Sequence, residues 1–333
     1  MIVDELKYDS SVDGTHPLFA DVAFREDGKL KPLVAVMHGY NGSSKDVSQE
    51  IRDLAKLGLV CVAPDMRGQG KSAGRWDGGG LDVHDIVDAL LDAIRQFPSE
   101  INTSNINIIG YSGGGGNVLA AVTRFPDLFH VGASFFGVSD YALFFENKGS
   151  VYANEIMQKV LGGTPSEIPE VYLARNACLA ACNNKVTKIH LFCDDEETAC
   201  PPILNKKFLE AQHAAGCKPA TMHASRPGDK VRWLHGYRTD HPMLAQADEI
   251  IAADIHAEVP DLSLPHTGMM NVCGYVVTRH FQVFVEDGQH GRVKIHYEFE
   301  DGRPQVRVLE NPKDYEVHIS LQSPLARLKS KTA

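Results

Sequence analysis

The sequence predicts an α/β protein with a mostly parallel sheet, helices on both faces, and a small C-terminal antiparallel β appendage. Short apolar runs at 33–37, 59–63, 106–109, 131–136 and 186–193 are typical of strands that helices cover on both faces. Between these runs, apolar residues recur at helical spacing, as in 47–57 and 83–94. The alternation of strand and helix favours parallel strands joined by crossover helices.

The C-terminal part of the chain has a different pattern. Between residues 271 and 321 apolar and polar residues alternate, as at Val293 and Ile295, which is typical of strands with one buried face. Segments 286–289 and 301–304 have the composition of hairpin turns. We therefore predict a four-stranded antiparallel meander.

These patterns divide the chain into two predicted parts. We expect a main α/β domain over residues 1–259, with an insertion or cap at about 141–185, and the β appendage over 260–333. Because four strands alone rarely bury enough apolar surface to be stable, the appendage should pack on the main domain or form a homo-oligomer with another subunit. A part in substrate binding is a third alternative.

Composition limits the classes of partner and the compartment. With 33 Lys plus Arg against 43 Asp plus Glu, the net charge of −10 argues against nucleic acid or an anionic membrane as a partner. Seven scattered cysteines form no disulfide framework, and Cys178 and Cys182, on a predicted helix, lack a second metal-ligand pair at zinc spacing. No signal peptide or membrane-spanning run is visible, so we expect a cytoplasmic protein.

The most informative motif is a pentapeptide that follows the apolar run at 106–109 and precedes a helical stretch. Its sequence is Gly110-Tyr111-Ser112-Gly113-Gly114. A serine exposed on a strained corner between strand and helix needs small residues two positions either side, because larger side chains would collide with the sheet or the helix. The motif therefore predicts that Ser112 is the nucleophile of a serine hydrolase.

In a parallel sheet the groups that assist such a serine should follow the carboxyl ends of neighbouring strands. The segment His38-Gly39-Tyr40-Asn41-Gly42 follows the first buried run. An acyl-transfer enzyme needs two N–H donors for the oxyanion that forms, and we predict the backbone N–H groups of Tyr40 and Gly113.

The serine also needs a general base, for which the chain offers 15 histidines. In this architecture the base comes late, after the last strand and before the final helix. His235 fits that place, between a predicted strand at 220–224 and a predicted helix at 243–256. His241 is the alternative, whereas His223 lies within the predicted strand.

A carboxylate must orient the base, and four adjacent acidic residues at 194–197 follow the strand predicted at 186–193. Glu197 is the predicted acid because the proline pair at 201–202 starts a helix at a fixed offset from it. Asp195 is the alternative. The chain order of serine, acid and histidine is that of the α/β-hydrolases.

Three further residues receive other predicted roles. Asp65 and Arg67, in the segment 65–70, are expected to hold the turn beneath the oxyanion segment rather than to act in catalysis. Trp76 lies in the glycine-rich segment 74–80 and is predicted to line the mouth of the substrate site.

Over roughly residues 15–258 the chain resembles an α/β-hydrolase, and two of its families share motifs with it. The acetyl xylan esterase and cephalosporin C deacetylase family is resembled at 38–42, 65–70 and 198–202. The catalytic domain of the prolyl oligopeptidase family is resembled at 120–140 and 161–175.

The resemblance implies a catalytic triad of Ser112, Glu197 and His235, with Tyr40 and Gly113 forming the oxyanion hole. Acyl transfer by such a site calls for no metal or organic cofactor. Prolyl oligopeptidases place a large propeller ahead of the hydrolase, whereas about 30 residues precede the first buried run here. We therefore expect a carboxylesterase or acetylesterase that acts through an acyl-enzyme on short-acyl esters, with acetylated carbohydrate as a candidate substrate. The alternative is a peptidase or amidase acting on small peptides.

Overall fold

The computed structural model describes residues 1–147, 151–217, 220–230, 232–233, 235 and 242–328. Within them the main sheet has eight strands in the order β1-β2-β4-β3-β5-β6-β7-β8, and β3 to β8 are parallel. The strands are β1 Ile2–Tyr8, β2 Leu18–Phe24, β3 Lys31–Met37, β4 Val60–Pro64, β5 Ile101–Tyr111, β6 Val131–Phe135, β7 Lys188–Asp194 and β8 Thr221–Ser225.

Helices cover both faces of this sheet. They are α1 Ser48–Lys56, α2 Asp82–Gln96, α3 Gly113–Arg124, α4 Tyr141–Glu146, α5 Val151–Leu161, α6 Pro169–Ala174, α7 Ile203–Ala214 and α8 Pro242–Ile255. Alternate residues of β3 face opposite layers: Val34 packs with α1 and α8, whereas Leu33 packs with α2 and α3. In the described residues no helix is long and apolar enough to cross a bilayer. The predicted fold class is confirmed.

The structure differs from the sequence-based prediction at the N-terminus and in the cysteine segment. Strands β1 and β2 form an antiparallel hairpin on the sheet edge. The sequence did not predict this hairpin, because charged residues interrupt the apolar pattern of β1. The helix predicted around Cys178 and Cys182 is wrong. Residues 177–180 form a turn, and Ala181–Asn183 form a short 3-10 helix.

The predicted four-stranded meander is also wrong, because residues 267–320 contain six strands in two sheets. One sheet has the order β10-β11-β14 and the other β13-β12-β9. The strands are β9 Thr267–Cys273, β10 Tyr275–Val277, β11 Gln282–Val285, β12 Arg292–Glu300, β13 Arg303–Glu310 and β14 Val317–Ser320. Gly274, at φ +72°, separates β9 from β10 and lets the chain change sheets.

The β appendage packs on the main domain through buried polar contacts. The guanidinium of Arg124 lies over the ring of Tyr275 at 4.6 Å. The backbone N–H of Asn271 donates to Asn183 Oδ1 at 3.0 Å, and Asn183 Nδ2 donates back to the Asn271 carbonyl at 2.8 Å. Packing on the main domain was one of the expected alternatives.

The turn that follows β4 is held by buried charges. Arg67 makes a bidentate pair with Asp85, with both distances 2.7 Å, and a further bond to Asp13 at 2.8 Å. The carboxylate of Asp65 accepts the backbone N–H groups of Ser44 at 2.6 Å and of Lys71 at 2.7 Å. These contacts are structural, because they tie the turn to the neighbouring loops and to α2.

We predict that Arg67→Ala lowers the free energy of unfolding by about 3 kcal/mol at pH 8, because it leaves Asp85 buried without its counter-charge. Burial already raises the pKa of Asp85 to about 6, so the loss should be smaller at pH 5, where the carboxyl can protonate. Urea unfolding at both pH values measures the effect. Arg226→Ala is the control and should change stability little, because its side chain is 75% exposed and its partner Asp195 is 40% exposed.

Candidate active site

Ser112 lies on a strained corner between β5 and α3. Its backbone has φ +56° and ψ −117°, a conformation that non-glycine residues rarely adopt. The corner is fixed from both sides, because the N–H of Ser112 donates to the Phe135 carbonyl at 2.9 Å and its carbonyl accepts the N–H of Gly116 at 2.9 Å. The sequence motif therefore has the backbone geometry of a nucleophile elbow.

The glycines on either side of Ser112 permit this corner for steric reasons. A Cβ atom on Gly110 would lie 2.3 Å from the Gly114 carbonyl oxygen. A Cβ atom on Gly114 would lie 2.4 Å from the carbonyl oxygen of His38, just after β3. Both neighbours are backbone atoms that cannot move aside, so the helix reaches the sheet only because these positions lack side chains.

The two predicted oxyanion residues lie against each other. Gly113 is the first residue of α3, so its N–H has no acceptor in the preceding turn of helix. A Cβ atom on Gly113 would meet the Tyr40 ring at 2.3 Å. The Tyr40 hydroxyl bonds to the Tyr141 hydroxyl, and its ring packs on Trp76 with centroids 4.9 Å apart. The structure thus brings Tyr40 and Gly113 together beside the elbow.

His38 is fully buried and anchors the segment that carries Tyr40. Nε2 of His38 accepts the N–H of Met66 at 3.1 Å, so Nδ1 carries the proton and donates to the Gly39 carbonyl at 2.7 Å. His38 therefore connects the end of β3 to the turn after β4 and has a structural part.

Glu197 and His235 are in direct contact. The Nδ1 atom of His235 lies 2.9 Å from Glu197 Oε2, and the same oxygen accepts the His235 backbone N–H at 2.8 Å. The other oxygen, Oε1, accepts the N–H of Ala199 at 2.7 Å. Glu197 is only 6% exposed, so its carboxylate is fixed by these bonds in a shielded position.

The neighbouring acidic residues point to other partners. Asp194 pairs with Arg232, with Oδ2 2.5 Å from Nε, and accepts the hydroxyl of Ser225 at 2.5 Å. The carboxylate of Asp195, the alternative acid, lies 3.5 Å from Arg226 on the surface. The alternative base, His241, lies outside the described residues.

Two residues that the sequence did not single out connect the acid and base to the serine. Cys200 places Sγ 3.8 Å from Ser112 Oγ, and its N–H points to Glu197 Oε1 at 3.4 Å. The ring centroids of Phe136 and His235 lie 4.1 Å apart. Phe136 directly follows Phe135, whose carbonyl accepts the Ser112 N–H. The site is therefore one continuous set of contacts.

The protonation states of the site follow from burial and hydrogen bonding. Burial raises the pKa of Glu197, but the hydrogen bonds and charge of His235 outweigh it and hold the pKa below 4.5. Burial raises the pKa of the Cys200 thiol to about 12. Near neutral pH Cys200 is therefore an uncharged thiol and a poor nucleophile compared with a thiolate.

The parallel sheet, its helical layers and the serine elbow define an α/β-hydrolase. The model of the prolyl oligopeptidase family matches residues 45–223, more than half of the chain. The chain belongs to this family, whose members are serine hydrolases, and the resemblance expected from the sequence is confirmed. The matched region includes Ser112 and Glu197 and ends before His235.

Two relatives, one named as an esterase and one named as a peptidase, share part of this sequence. It is 30% identical over 120 residues to a bifunctional esterase/perhydrolase of Acinetobacter calcoaceticus, covering 36% of this chain and 40% of that protein. It is 33% identical over 125 residues to an uncharacterized peptidase, YtmA, of Bacillus subtilis, covering 37% and 46%. Because the matches span less than half of either relative, they do not decide between ester and peptide substrates.

Solved structures show the same fold at low sequence identity. An acylaminoacyl peptidase of Pyrococcus horikoshii has a TM-score of 0.62 at 19% identity, and the match covers 75% of this chain and 40% of the peptidase chain. An esterase of Pyrococcus furiosus has a TM-score of 0.58 at 16% identity, and the match covers 76% of this chain and 91% of the esterase chain. At these identities the likeness supports the fold alone.

The lowered pKa of Glu197 predicts a pH-dependent contribution to stability. A carboxylate whose folded pKa is depressed stabilises the protein above its unfolded value, near 4.5, and loses that effect as the pH falls through the folded value. The difference in unfolding free energy between the unmodified protein and Glu197→Gln should therefore be larger at pH 6 than at pH 3. Chemical denaturation at several pH values measures it. A difference that grows toward low pH would contradict the assignment.

Proposed function

We propose that the protein is a serine carboxylic-ester hydrolase that acts through an acyl-enzyme on short-acyl esters. The observation that carries the proposal is the continuous contact from Ser112 through Cys200 and Glu197 to His235. A nucleophile, a base and an orienting acid gathered in one set of contacts are the parts that acyl transfer requires.

In the proposed reaction His235 removes the proton of Ser112, which attacks the ester carbonyl carbon. The backbone N–H groups of Tyr40 and Gly113 stabilise the oxyanion of the tetrahedral intermediate. His235, oriented by Glu197, then protonates the leaving alcohol. Water repeats the sequence on the acyl-enzyme and releases the acid.

The aromatic surroundings of the serine support a small acyl group. Tyr40 lies against Gly113, Trp76 packs on Tyr40, and the Tyr40 hydroxyl is bound to Tyr141, so this wall consists of packed aromatic side chains. On the other side Cys200 comes within 3.8 Å of the serine oxygen. The esterase name of the Acinetobacter calcoaceticus relative agrees with this proposal.

The second candidate is a peptidase or amidase for small peptides. It is favoured by the family itself and by the peptidase name of the Bacillus subtilis relative. The same triad serves both reactions, because amide and ester cleavage share the tetrahedral intermediate. Substrate assays must therefore separate the two candidates.

A fluorophosphonate probe tests the catalytic residues. We expect the unmodified protein to be labelled and Ser112→Ala to lose all labelling, while Ser104→Ala, at a serine of β5 outside the elbow, is the matched control and keeps it. His235→Gln should lower kcat by about 10⁶-fold, and His241→Gln should leave it unchanged. Labelling that persists in Ser112→Ala would sink the proposal.

Substrate preference is tested with chromogenic compounds. We expect kcat/KM for p-nitrophenyl acetate to exceed that for p-nitrophenyl octanoate and for alanyl and prolyl p-nitroanilides by at least about 10-fold, because the aromatic wall limits the acyl group. Trp76→Ala should narrow the gap between acetate and octanoate. Faster anilide than ester cleavage would favour the peptidase instead.

A further inference from the structure

A cavity of about 700 Å³ lies between the main domain and the β appendage. The main domain lines it with residues 11–13, in the loop that joins β1 to β2, and with Leu81 and His84 at the start of α2. Strands β11 and β14 and the turn after β11 line the other side. The volume lies in the range of small-molecule sites. Among the described residues that line the cavity there is no member of the proposed triad or oxyanion hole.

The alternation of β11 decides which of its side chains face the cavity. Val283 and Val285 are fully buried in the core of the appendage, so Phe284 between them points to the opposite face. There its ring centroid lies 5.2 Å from that of Tyr275 and 6.3 Å from that of His84. Phe284 therefore forms an aromatic wall that connects the appendage to α2.

His84, on the main-domain side, is a buried histidine with one unused ring nitrogen. It is 1% exposed, and its Nδ1 lies 3.3 Å from Asp88 Oδ2. The carboxylate of Asp88 also accepts the N–H and the hydroxyl of Ser11, so it acts as an acceptor and Nδ1 of His84 is the donor. Within the described residues Nε2 forms no hydrogen bond. In the neutral ring this nitrogen is an acceptor, and a buried acceptor without a donor favours a ligand that supplies one.

Apart from histidines, the ionisable side chains that line the cavity in the described part of the chain are acidic. They are Asp13, Glu286 and Asp287. Asp13 is already paired with an arginine of the main domain. Glu286 and Asp287 form no ion pair with lysine or arginine among the described residues. Their contacts include the backbone N–H of Glu316 at 2.9 Å and Nδ1 of His290 at 2.7 Å, respectively. This end of the cavity therefore attracts a cation and repels an anion.

The acceptor of His84 and the two carboxylates are separated by apolar surface. Phe284 contacts His84 and lies two residues before Glu286, and Leu81 lines the same space. An aromatic ring can pack against the hydrocarbon part of a ligand and can also attract a cation to its face. The three features together match a ligand with a cation at one end, an aromatic body, and a hydrogen-bond donor at the other end.

We propose that this cavity binds a small aromatic amine. Its ammonium group lies at Glu286 and Asp287, its ring packs on Phe284, and a hydroxyl at its far end donates to Nε2 of His84. Binding there does not depend on the proposed hydrolysis, because neither the serine nor its partners take part.

The experiment measures the binding of tyramine to the unmodified full-length protein at pH 8 by titration calorimetry. Tyrosol replaces the ammonium group by a neutral hydroxyl, 4-hydroxyphenylacetate replaces it by an anion, and 2-phenylethylamine lacks the phenolic hydroxyl. We expect saturable 1:1 binding of tyramine and at least about 5-fold weaker binding of tyrosol, because charge-assisted hydrogen bonds are stronger than neutral ones. We expect no detectable binding of 4-hydroxyphenylacetate, and about 5-fold weaker binding of 2-phenylethylamine, which cannot donate to His84.

Variants locate the two ends of the ligand. Glu286→Gln removes the charge but keeps an acceptor for the Glu316 N–H, and it should weaken tyramine binding by about 3-fold. Glu298→Gln, at an exposed glutamate of β12, is the matched control and should leave binding unchanged. His84→Phe should weaken the binding of tyramine but not that of 2-phenylethylamine. If His84→Phe fails to fold, the comparison of these two ligands on the unmodified protein tests the same contact.

Four results would each overturn the proposal. They are no binding of tyramine, binding of tyrosol or 4-hydroxyphenylacetate as tight as that of tyramine, equal affinity for tyramine and 2-phenylethylamine, and tyramine binding that is unchanged in Glu286→Gln.

Discussion

The close approach of helix α3 to the carboxyl ends of β3 and β5 is the constraint on which the site depends. It places Ser112 at a positive φ, which costs of order 1–3 kcal/mol for a non-glycine residue. Hydrogen bonds to the backbone of Ser112 maintain this strained conformation. The close approach itself requires glycine at 110 and 114, because a Cβ atom there would collide with backbone atoms. The serine is therefore presented by the sheet, whatever the substrate.

The same approach explains why the oxyanion segment needs its own support. Tyr40 can lie flat against Gly113 only because that position has no side chain. Buried polar residues then fix the segment, with His38 bridging to Met66 and the Asp65 carboxylate bridging to Ser44. Hydrogen bonds of this kind favour one arrangement, because an unpaired buried polar group is costly.

Local sequence patterns were sufficient for the parallel strands and for the elbow, because both depend on residues adjacent in sequence. They failed where long-range packing decides. The N-terminal hairpin was not predicted, because charged residues interrupt the apolar pattern of β1. The appendage forms two sheets because Gly274 turns the chain between them. Cys200 and Phe136 carry no motif, and their place beside Ser112 appears only when loops from three strands meet.

The β appendage reaches the site through the glycine-rich loop. The Tyr275 hydroxyl donates to the Gly80 carbonyl at 3.3 Å, and Arg175 joins the carbonyls of Asp77 and Gln289. The same loop carries Trp76, directly before Asp77, and Trp76 packs on Tyr40. A loop rich in glycine has large conformational entropy to lose, so contacts from a distant part of the chain are what keep this wall ordered. The appendage therefore helps to shape the site without contributing a residue to the triad.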